Sequence, residues 1–172
     1  MGKLKRILTS ILIIGSILSL VNAGLAFENE PEGFRSSNWG GPPEENMILV
    51  DSTKDGQSFY RVPKEKMSIG DAKFYMITYS FFGQPQKFMG VILAFRGEEN
   101  YDLLKTICEG KFGEPTKKRL SELEWQGQIT TIVLNYDLVD EDGALALVGT
   151  SIFSEYLEAK QKKQIEKAEE DW

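Results

Sequence analysis

The stretch ICEGKFGEPTK, residues 107–117, combines glycines, a lysine and a threonine, the residue types of a phosphate-binding loop. In such a loop the glycines follow a strand and precede a helix, so that free amides at the helix N-terminus face the phosphate. Here Tyr101, Leu104 and Cys108 recur at helical spacing ahead of the glycines. We therefore interpret the stretch as a helix end closed by Gly110, where the negative end of the helix dipole repels phosphate.

Cys108 is the only cysteine of the chain, so an internal disulfide is excluded. A nucleophilic cysteine requires a lowered pKa, because the thiolate is the reactive form. Cys108 shares the apolar stripe of the predicted helix and lies near its C-terminal end, where the dipole disfavours a negative charge. We predict a buried core thiol at this position.

The sequence contains no histidine, which excludes Ser-His-Asp and Cys-His catalysis and every metal site that uses imidazole. Paired carboxylates perform acid–base chemistry without histidine when they converge about 5–10 Å apart in a cleft. Nearly every acid of this chain falls in a turn, at a helix start or in the tail, where carboxylates are ordinarily solvated. We assign no catalytic residue, and a carboxylate-dependent hydrolase stays the alternative.

Two acidic turns have oxygen ligands that a cation could use. DSTKDG, residues 51–56, matches the first half of a calcium loop, but the twelfth position falls on Val62, where a bidentate glutamate is needed. A plain hairpin turn is the better interpretation. Asp140, Glu141 and Asp142 form a second acidic turn, with loose cation binding as its alternative. We predict no metal site and no cofactor.

Aromatic residues are the remaining candidates for recognition. We expect most of them to lie in the core, and any that stay exposed on a sheet face would bind a peptide, a glycan or a partner protein. The set that exceeds what one helix can cover comprises Phe34, Trp39, Tyr60, Tyr75, Tyr79, Phe81, Trp125 and Tyr136. Within it, Trp39, Tyr60 and Trp125 are the candidate binding surface.

Residues 1–26 have the layout of a secretory signal peptide: basic MGKLKR, then a short apolar run, then the small residues NAGLA. We predict cleavage before Phe27 and a periplasmic or extracellular location, with an uncleaved anchor as the alternative. The chain has 20 basic and 26 acidic residues, and loss of Lys3, Lys5 and Arg6 with the leader makes the balance more acidic. Because an acidic chain repels phosphate backbones, no nucleic-acid partner is expected.

The first half of the mature chain has the composition of paired strands. Residues 27–46 are rich in Pro, Gly and acids, and we read them as an extended lead-in. Residues 47–50 and 58–62 predict a hairpin, and the aromatic and β-branched run at 72–82 predicts a long central strand. Turn residues separate that run from its predicted partner strand at 87–95.

Beyond the predicted helix, residues 128–137 and 143–153 predict a second hairpin. Residues 154–172 have a helical composition with a weak apolar stripe, which predicts a tail helix capped at Ser154. Residues 47–153 are therefore expected to form a single α+β domain. Its antiparallel sheet should have about six strands with one helix packed on a face, followed by the C-terminal tail helix.

WGGP at 39–42 and FGEP at 112–115 suggest two related units, each a turn that opens a β-meander, with a chance match as the alternative. The GFRSSNWGG opening at 33–41 and the LLKTICEGKFGEPTK stretch resemble a group of small exported bacterial proteins of unknown function. These share an extended GFR–WG opening and a helix that ends in an aromatic-Gly-x-Pro turn. The resemblance implies export and an α+β fold, and it implies no catalytic residues.

Taken together, the residues favour a non-enzymatic binding or protein-interaction module of the cell envelope, which would use an open sheet face or an edge strand. A carboxylate-dependent hydrolase is the first alternative. A structural accessory protein that acts through its tail helix is the second. The expected partner is a protein, a peptide or a glycan, and no membrane span is expected after cleavage of the leader.

Overall fold

The computed structural model describes residues 27–170 of the chain. The predicted signal peptide, residues 1–26, lies outside the described residues. Between residues 27 and 170 the fold is α+β, built on one large antiparallel sheet with two helices, the second of them C-terminal. Neither of these two helices is long and apolar enough to cross a membrane.

The secondary structure comprises twelve strands and two helices within the described range. In chain order they are β1 (Gly33–Phe34), β2 (Ser37–Asn38), β3 (Ile48–Ser52), β4 (Gln57–Arg61), β5 (Ser68–Ile69), β6 (Ala72–Lys73), β7 (Met76–Phe82), β8 (Lys87–Arg96), α1 (Glu98–Phe112), β9 (Lys117–Arg119), β10 (Glu122–Gln126), β11 (Thr130–Tyr136), β12 (Asp142–Gly149) and α2 (Thr150–Glu170).

The large sheet has the strand order β3-β4-β7-β8-β12-β11-β10-β9, and every neighbouring pair is antiparallel. It consists of two four-stranded meanders that meet where β8 pairs with β12. WGGP precedes the first meander and FGEP precedes the second, and each meander is followed by a helix. The two motifs therefore occupy equivalent places in the topology.

The sheet has eight strands where about six were predicted, and β9 and β10 are the two that were missed. In β10 the apolar Leu123 and Trp125 alternate with Glu122, Glu124 and Gln126, which is a readable strand signal. By contrast, β9 consists of three exposed basic residues and offers no apolar pattern. With these two strands added beyond β11, the edge strand on that side of the sheet is β9.

Successive strand residues point to opposite sides of the sheet. Both sets of positions carry apolar residues, so both faces of the sheet are apolar. Leu104 and Cys108 of α1 join the larger cluster of buried residues on the first face, together with Ile132 and Leu134 of β11. Val133, between these two, belongs to a smaller cluster on the second face. The first turns of α2 cover that second cluster.

The segment predicted as an extended lead-in, residues 27–46, is packed against the domain. Its aromatic rings contact three different elements: Phe27 meets Phe112 edge-on at 5.6 Å, Phe34 lies 6.0 Å from Tyr79, and Trp39 stacks on Phe88 at 4.9 Å between ring centroids. The short β1–β2 hairpin turns within this segment. These 20 residues contribute to the core of the first sheet face.

Helix boundaries differ from the predicted ones at two glycine-related positions. Helix α1 runs through Gly110 to Phe112, and Gly113, with φ 77°, ends it by donating its N–H to the Glu109 carbonyl. Helix α2 begins at Thr150, directly after Gly149 and four residues before the predicted cap. Ser154 lies inside this helix and its hydroxyl donates back to the Thr150 carbonyl, 3.0 Å away.

Candidate functional site: an exposed edge strand

Trp125, one of the three predicted binding residues, lies in the core. Its side chain is fully buried, and its Nε1–H donates to the Gly113 carbonyl at 2.8 Å. Alternation along β10 puts Trp125 and Leu123 on the first sheet face, in the same buried cluster as Leu104, Cys108 and Phe112 of α1. Trp125 thus ties the end of α1 to the sheet and contributes nothing to an exposed surface.

Trp39, the second predicted residue, is half-buried, and its side chain makes contacts within the protein. Its Nε1–H lies 2.7 Å from Thr130 Oγ1 and 3.0 Å from the Pro31 carbonyl oxygen, and its ring stacks on Phe88. A Cβ on Gly149 would come within 2.8 Å of the indole ring, so glycine is required there. Trp39 therefore fastens the N-terminal segment to the ends of β8, β11 and β12.

Tyr60, the third predicted residue, is the one that adjoins an exposed surface. It lies on β4, opposite Leu49 of the outermost strand β3. Its hydroxyl donates to Gln86 Oε1 at 2.6 Å, and its ring packs edge-on against Phe81 at 5.1 Å. These contacts hold Tyr60 rigidly beside the edge of the sheet.

Strand β3 forms the edge next to Tyr60 and is exposed along its whole length. Three consecutive aliphatic side chains are about half-exposed: Ile48 at 45%, Leu49 at 53% and Val50 at 49%. A bulge between Leu49 and Asp51 leaves Val50 without a cross-strand partner on β4. In residues 27–170 no strand pairs with the outer side of β3.

The opposite edge of the sheet, β9, has a different chemistry. Its residues Lys117, Lys118 and Arg119 are exposed and contact Glu124, Glu114 and Glu122 at 3.4, 2.5 and 2.8 Å, respectively. Lysines on an edge strand oppose pairing with another strand. The sheet thus has one edge protected by charge and one edge lined by aliphatic side chains.

Charges of both signs flank the β3 edge, and acids outnumber bases there. Glu45 is exposed before the strand, Asp51 lies within it, and Asp55 is exposed in the following turn beside Lys54. On the neighbouring strand, Arg61 is the cross-strand partner of Ile48. An extended segment with aliphatic side chains and some positive charge would match this edge in both hydrogen bonding and electrostatics.

Residues 51–56, interpreted from the sequence as a plain hairpin turn, lead from the end of β3 into β4. Asp51 Oδ1 accepts from the Ser52 amide at 2.8 Å, and Gly56 adopts φ 85° as the turn closes. In the second acidic turn, Asp142 Oδ1 accepts from Arg96 Nε at 3.0 Å. No group of three or more acidic, cysteine or histidine side chains with metal-binding geometry occurs among residues 27–170.

Cys108 is buried, as the helical stripe predicted. Burial raises the pKa of its thiol from 9.0 to about 12, and Lys111 opposes this shift only in part. Because the thiol stays protonated at neutral pH, the side chain acts as a small core residue.

Two glutamates are withdrawn from solvent, and sequence reasoning missed both. The Glu65 carboxylate, whose side chain is 7% exposed, contacts Arg35 and accepts from the Tyr79 hydroxyl at 2.9 Å. Burial, followed by the Glu65 hydrogen bond, raises the pKa of Tyr79. The Glu124 side chain is 1% exposed; its Oε1 faces Lys117, and its Oε2 has no hydrogen-bond partner within the described range.

These carboxylates do not assemble into the arrangement that a hydrolase of the predicted alternative type requires. Glu65 contacts Arg35 and the hydroxyl of Tyr79, which lies on β7. Glu124 lies on β10, four strands further across the sheet. The period-2 alternation of β10 is the sequence signal that would have placed Glu124 and Trp125 on opposite faces of the sheet.

The chain matches no protein-family model, no curated protein and no solved structure.

Proposed function

We propose that this protein is a non-enzymatic binding module that pairs an extended segment of a partner protein with strand β3. The partner segment would add a ninth strand to the sheet, with main-chain hydrogen bonds supplying affinity and alternate side chains supplying selectivity. The basic and apolar leader supports export, so the proposal places this module in the cell envelope or outside the cell.

The observation that carries the proposal is the exposure of Ile48, Leu49 and Val50 on a strand with a free outer side. Exposed, apolar edge strands promote unwanted pairing, and natural proteins ordinarily shield them with charge, proline or covering segments. The same sheet uses lysines and arginine on its other edge. A bulge and Asp51 give β3 some protection, but its three consecutive exposed aliphatic side chains are accounted for when the strand pairs with a partner.

Selection from a library of random heptapeptides tests the proposal directly. The purified protein is the bait, and every enriched peptide is measured against two proline variants. Val50→Pro removes the backbone N–H of Val50 at the bulge, where the register with β4 is already interrupted. Lys118→Pro places a proline on the opposite edge, β9, where Lys118 is the cross-strand partner of Leu123, and is the control for an edge proline away from β3.

The expected peptides bind wild-type protein and Lys118→Pro with similar affinity and lose about tenfold or more on Val50→Pro. Hydrogen exchange of the β3 amides should slow in the complex, because pairing shields them from water. Peptides whose binding is equal for both variants, or a selection that enriches none, would count against edge pairing. A double substitution, Leu49→Ser with Ile48→Ser, would separate lost apolar contact from lost main-chain pairing.

A further inference from the structure

The three aliphatic side chains Leu120, Leu138 and Val139 lie on two turns far from the β3 edge, and two of them are almost fully exposed. Leu120 is 98% exposed, Val139 is 90% exposed and Leu138 is 65% exposed. Turn positions are ordinarily polar, and apolar residues grouped at one place on a surface mark interaction sites. We call these three residues the turn patch.

The two turns are neighbours at one end of the sheet. The β9–β10 turn contains Leu120, and the β11–β12 turn contains Leu138 and Val139. Since β10 pairs with β11 and the Tyr136 amide donates to the Ser121 carbonyl at 3.0 Å, the ends of both turns are held together. The turn patch is therefore one surface.

Hydrogen bonds fix the shape of the β11–β12 turn. Asp137 Oδ1 accepts from the amides of Val139 at 2.8 Å and Asp140 at 3.3 Å. The Asp137 amide donates to the Asp142 carbonyl at 2.9 Å. A turn held in this way presents Leu138 and Val139 without further ordering, which lowers the entropic cost of an interface.

Opposite charges flank the turn patch on its two sides. Lys118 and Arg119 precede Leu120, and their side chains are 57% and 59% exposed. Asp140 and Glu141 follow Val139 and are also exposed. Both cations contact glutamates of their own chain, but exposed ion pairs are weak and leave further donors of Lys118 and Arg119 available.

We propose that the turn patch binds a second copy of this chain around a two-fold axis. In such a dimer the basic turn of each protomer faces the acidic turn of its partner, and the aliphatic side chains meet between them. One surface that carries both members of a complementary pair satisfies the requirement of an isologous contact. Insertion into a lipid surface is disfavoured because Asp137, Asp140 and Glu141 would have to lose their hydration.

Sedimentation of the purified protein gives the first test. At about 50 mM salt we expect a monomer–dimer equilibrium between about 10 μM and about 1 mM protein. The dissociation constant should rise several-fold at about 500 mM salt, because the ion pairs across the interface are screened. Leu120→Ser changes a side chain that is 98% exposed, so it should weaken the dimer without altering the fold.

Charge reversal gives the decisive test. One variant carries Lys118→Glu with Arg119→Glu, and the other carries Asp140→Lys with Glu141→Lys. Each variant alone places like charges across the two-fold axis and is expected to be monomeric. An equimolar mixture of the two variants should form a heterodimer with both contacts restored.

Three results would overturn the proposal: a wild-type protein that stays monomeric to about 1 mM, variants that dimerise as the wild type does, or a mixture that fails to associate. Circular dichroism of each variant checks that the fold is retained. Should either charge variant misfold, the Leu120→Ser and Val139→Ser variants decide the question alone, because both positions are at least 90% exposed in the monomer.

Discussion

Trp39 Nε1 lies 2.7 Å from Thr130 Oγ1, a hydrogen bond between residues 91 positions apart in the chain. The same nitrogen also contacts the Pro31 carbonyl, and the indole stacks on Phe88. Trp39 thus joins the N-terminal segment to both meanders of the sheet. Trp39, one of the three candidate binding residues, therefore has a structural role.

Replacement of Trp39 tests that structural role. Trp39→Ala should lower the free energy of unfolding by about 3 kcal/mol, because it removes the stack on Phe88 and leaves a cavity. Trp39→Phe keeps the stack and should cost only about 1 kcal/mol for the lost hydrogen bonds. Urea denaturation measures both. Equal losses for the two variants would contradict the stacking contribution.

Substitution by alanine should change the stability of the protein in opposite directions at two glycines, one inside α1 and one at its C-terminal end. Gly110 lies inside the helix with open space around it, so Gly110→Ala should stabilise the protein by about 1 kcal/mol. Gly113 ends the helix with φ 77°, so Gly113→Ala should destabilise it by about 1 kcal/mol. Thermal denaturation compares the pair. Stabilisation by both substitutions would show that the helix does not end where the structure places it.

Cys108 should be inert to thiol reagents while the protein is folded. Its thiol is buried and its pKa is raised to about 12, so little thiolate exists at pH 8. We expect labelling by a disulfide reagent only as the protein unfolds in urea. Ser151→Cys, at an exposed position of α2, is the control that should react at once. Fast labelling of native Cys108 would refute its burial.

The same pKa shift predicts a loss of stability in alkali. The buried, protonated Cys108 thiol contributes to the free energy of unfolding. Because folding raises the pKa of this thiol, that contribution is complete below pH 9 and falls as the pH rises toward 12. Cys108→Ala removes this contribution. The difference in urea midpoint between wild type and variant should therefore narrow from pH 8 to pH 10.5. A difference in urea midpoint that stays constant over this pH range would contradict the raised pKa of the Cys108 thiol.

The tail helix should divide into a structural half and a dispensable half. Phe153 is buried, and Tyr156 packs edge-on against Phe82 at 5.3 Å, whereas residues 161–169 are exposed. Truncation after Lys160 should leave the urea midpoint unchanged within error. Phe153→Ala should cost about 3 kcal/mol. A large loss on truncation would mean that the exposed half has an intramolecular contact.

Local patterns were sufficient to predict much of the fold. The three predicted hairpins are present, although the run at 72–82 is divided into β6 and β7, and the predicted strand at 143–153 ends at Gly149 with residues 150–153 in α2. Helix α1 was predicted because apolar spacing changes from period 2 to period 3.6 after Glu98. Strand β9 was missed because its pairing depends on β10 rather than on its own three basic residues.

The candidate binding residues were harder to predict, because a side chain's type does not specify what covers it. Tyr60 does adjoin the exposed edge, but Trp125 lies in the main buried cluster and Trp39 is hydrogen-bonded to Thr130. Ile48, Leu49 and Val50 read as an ordinary core strand. Their exposure follows from the place of β3 at the end of the strand order.

By itself the sequence determined the chemical limits of this protein: the absence of histidine, the single cysteine, and the alternation that gives strands two apolar faces. These properties are local, since they depend on residue type and on spacing within one element. Tertiary structure alone decided which apolar side chains are covered, which edge of the sheet is free, and which glutamates are buried. Burial is a property of neighbours brought together from distant parts of the chain, and no spacing rule within one segment contains that information.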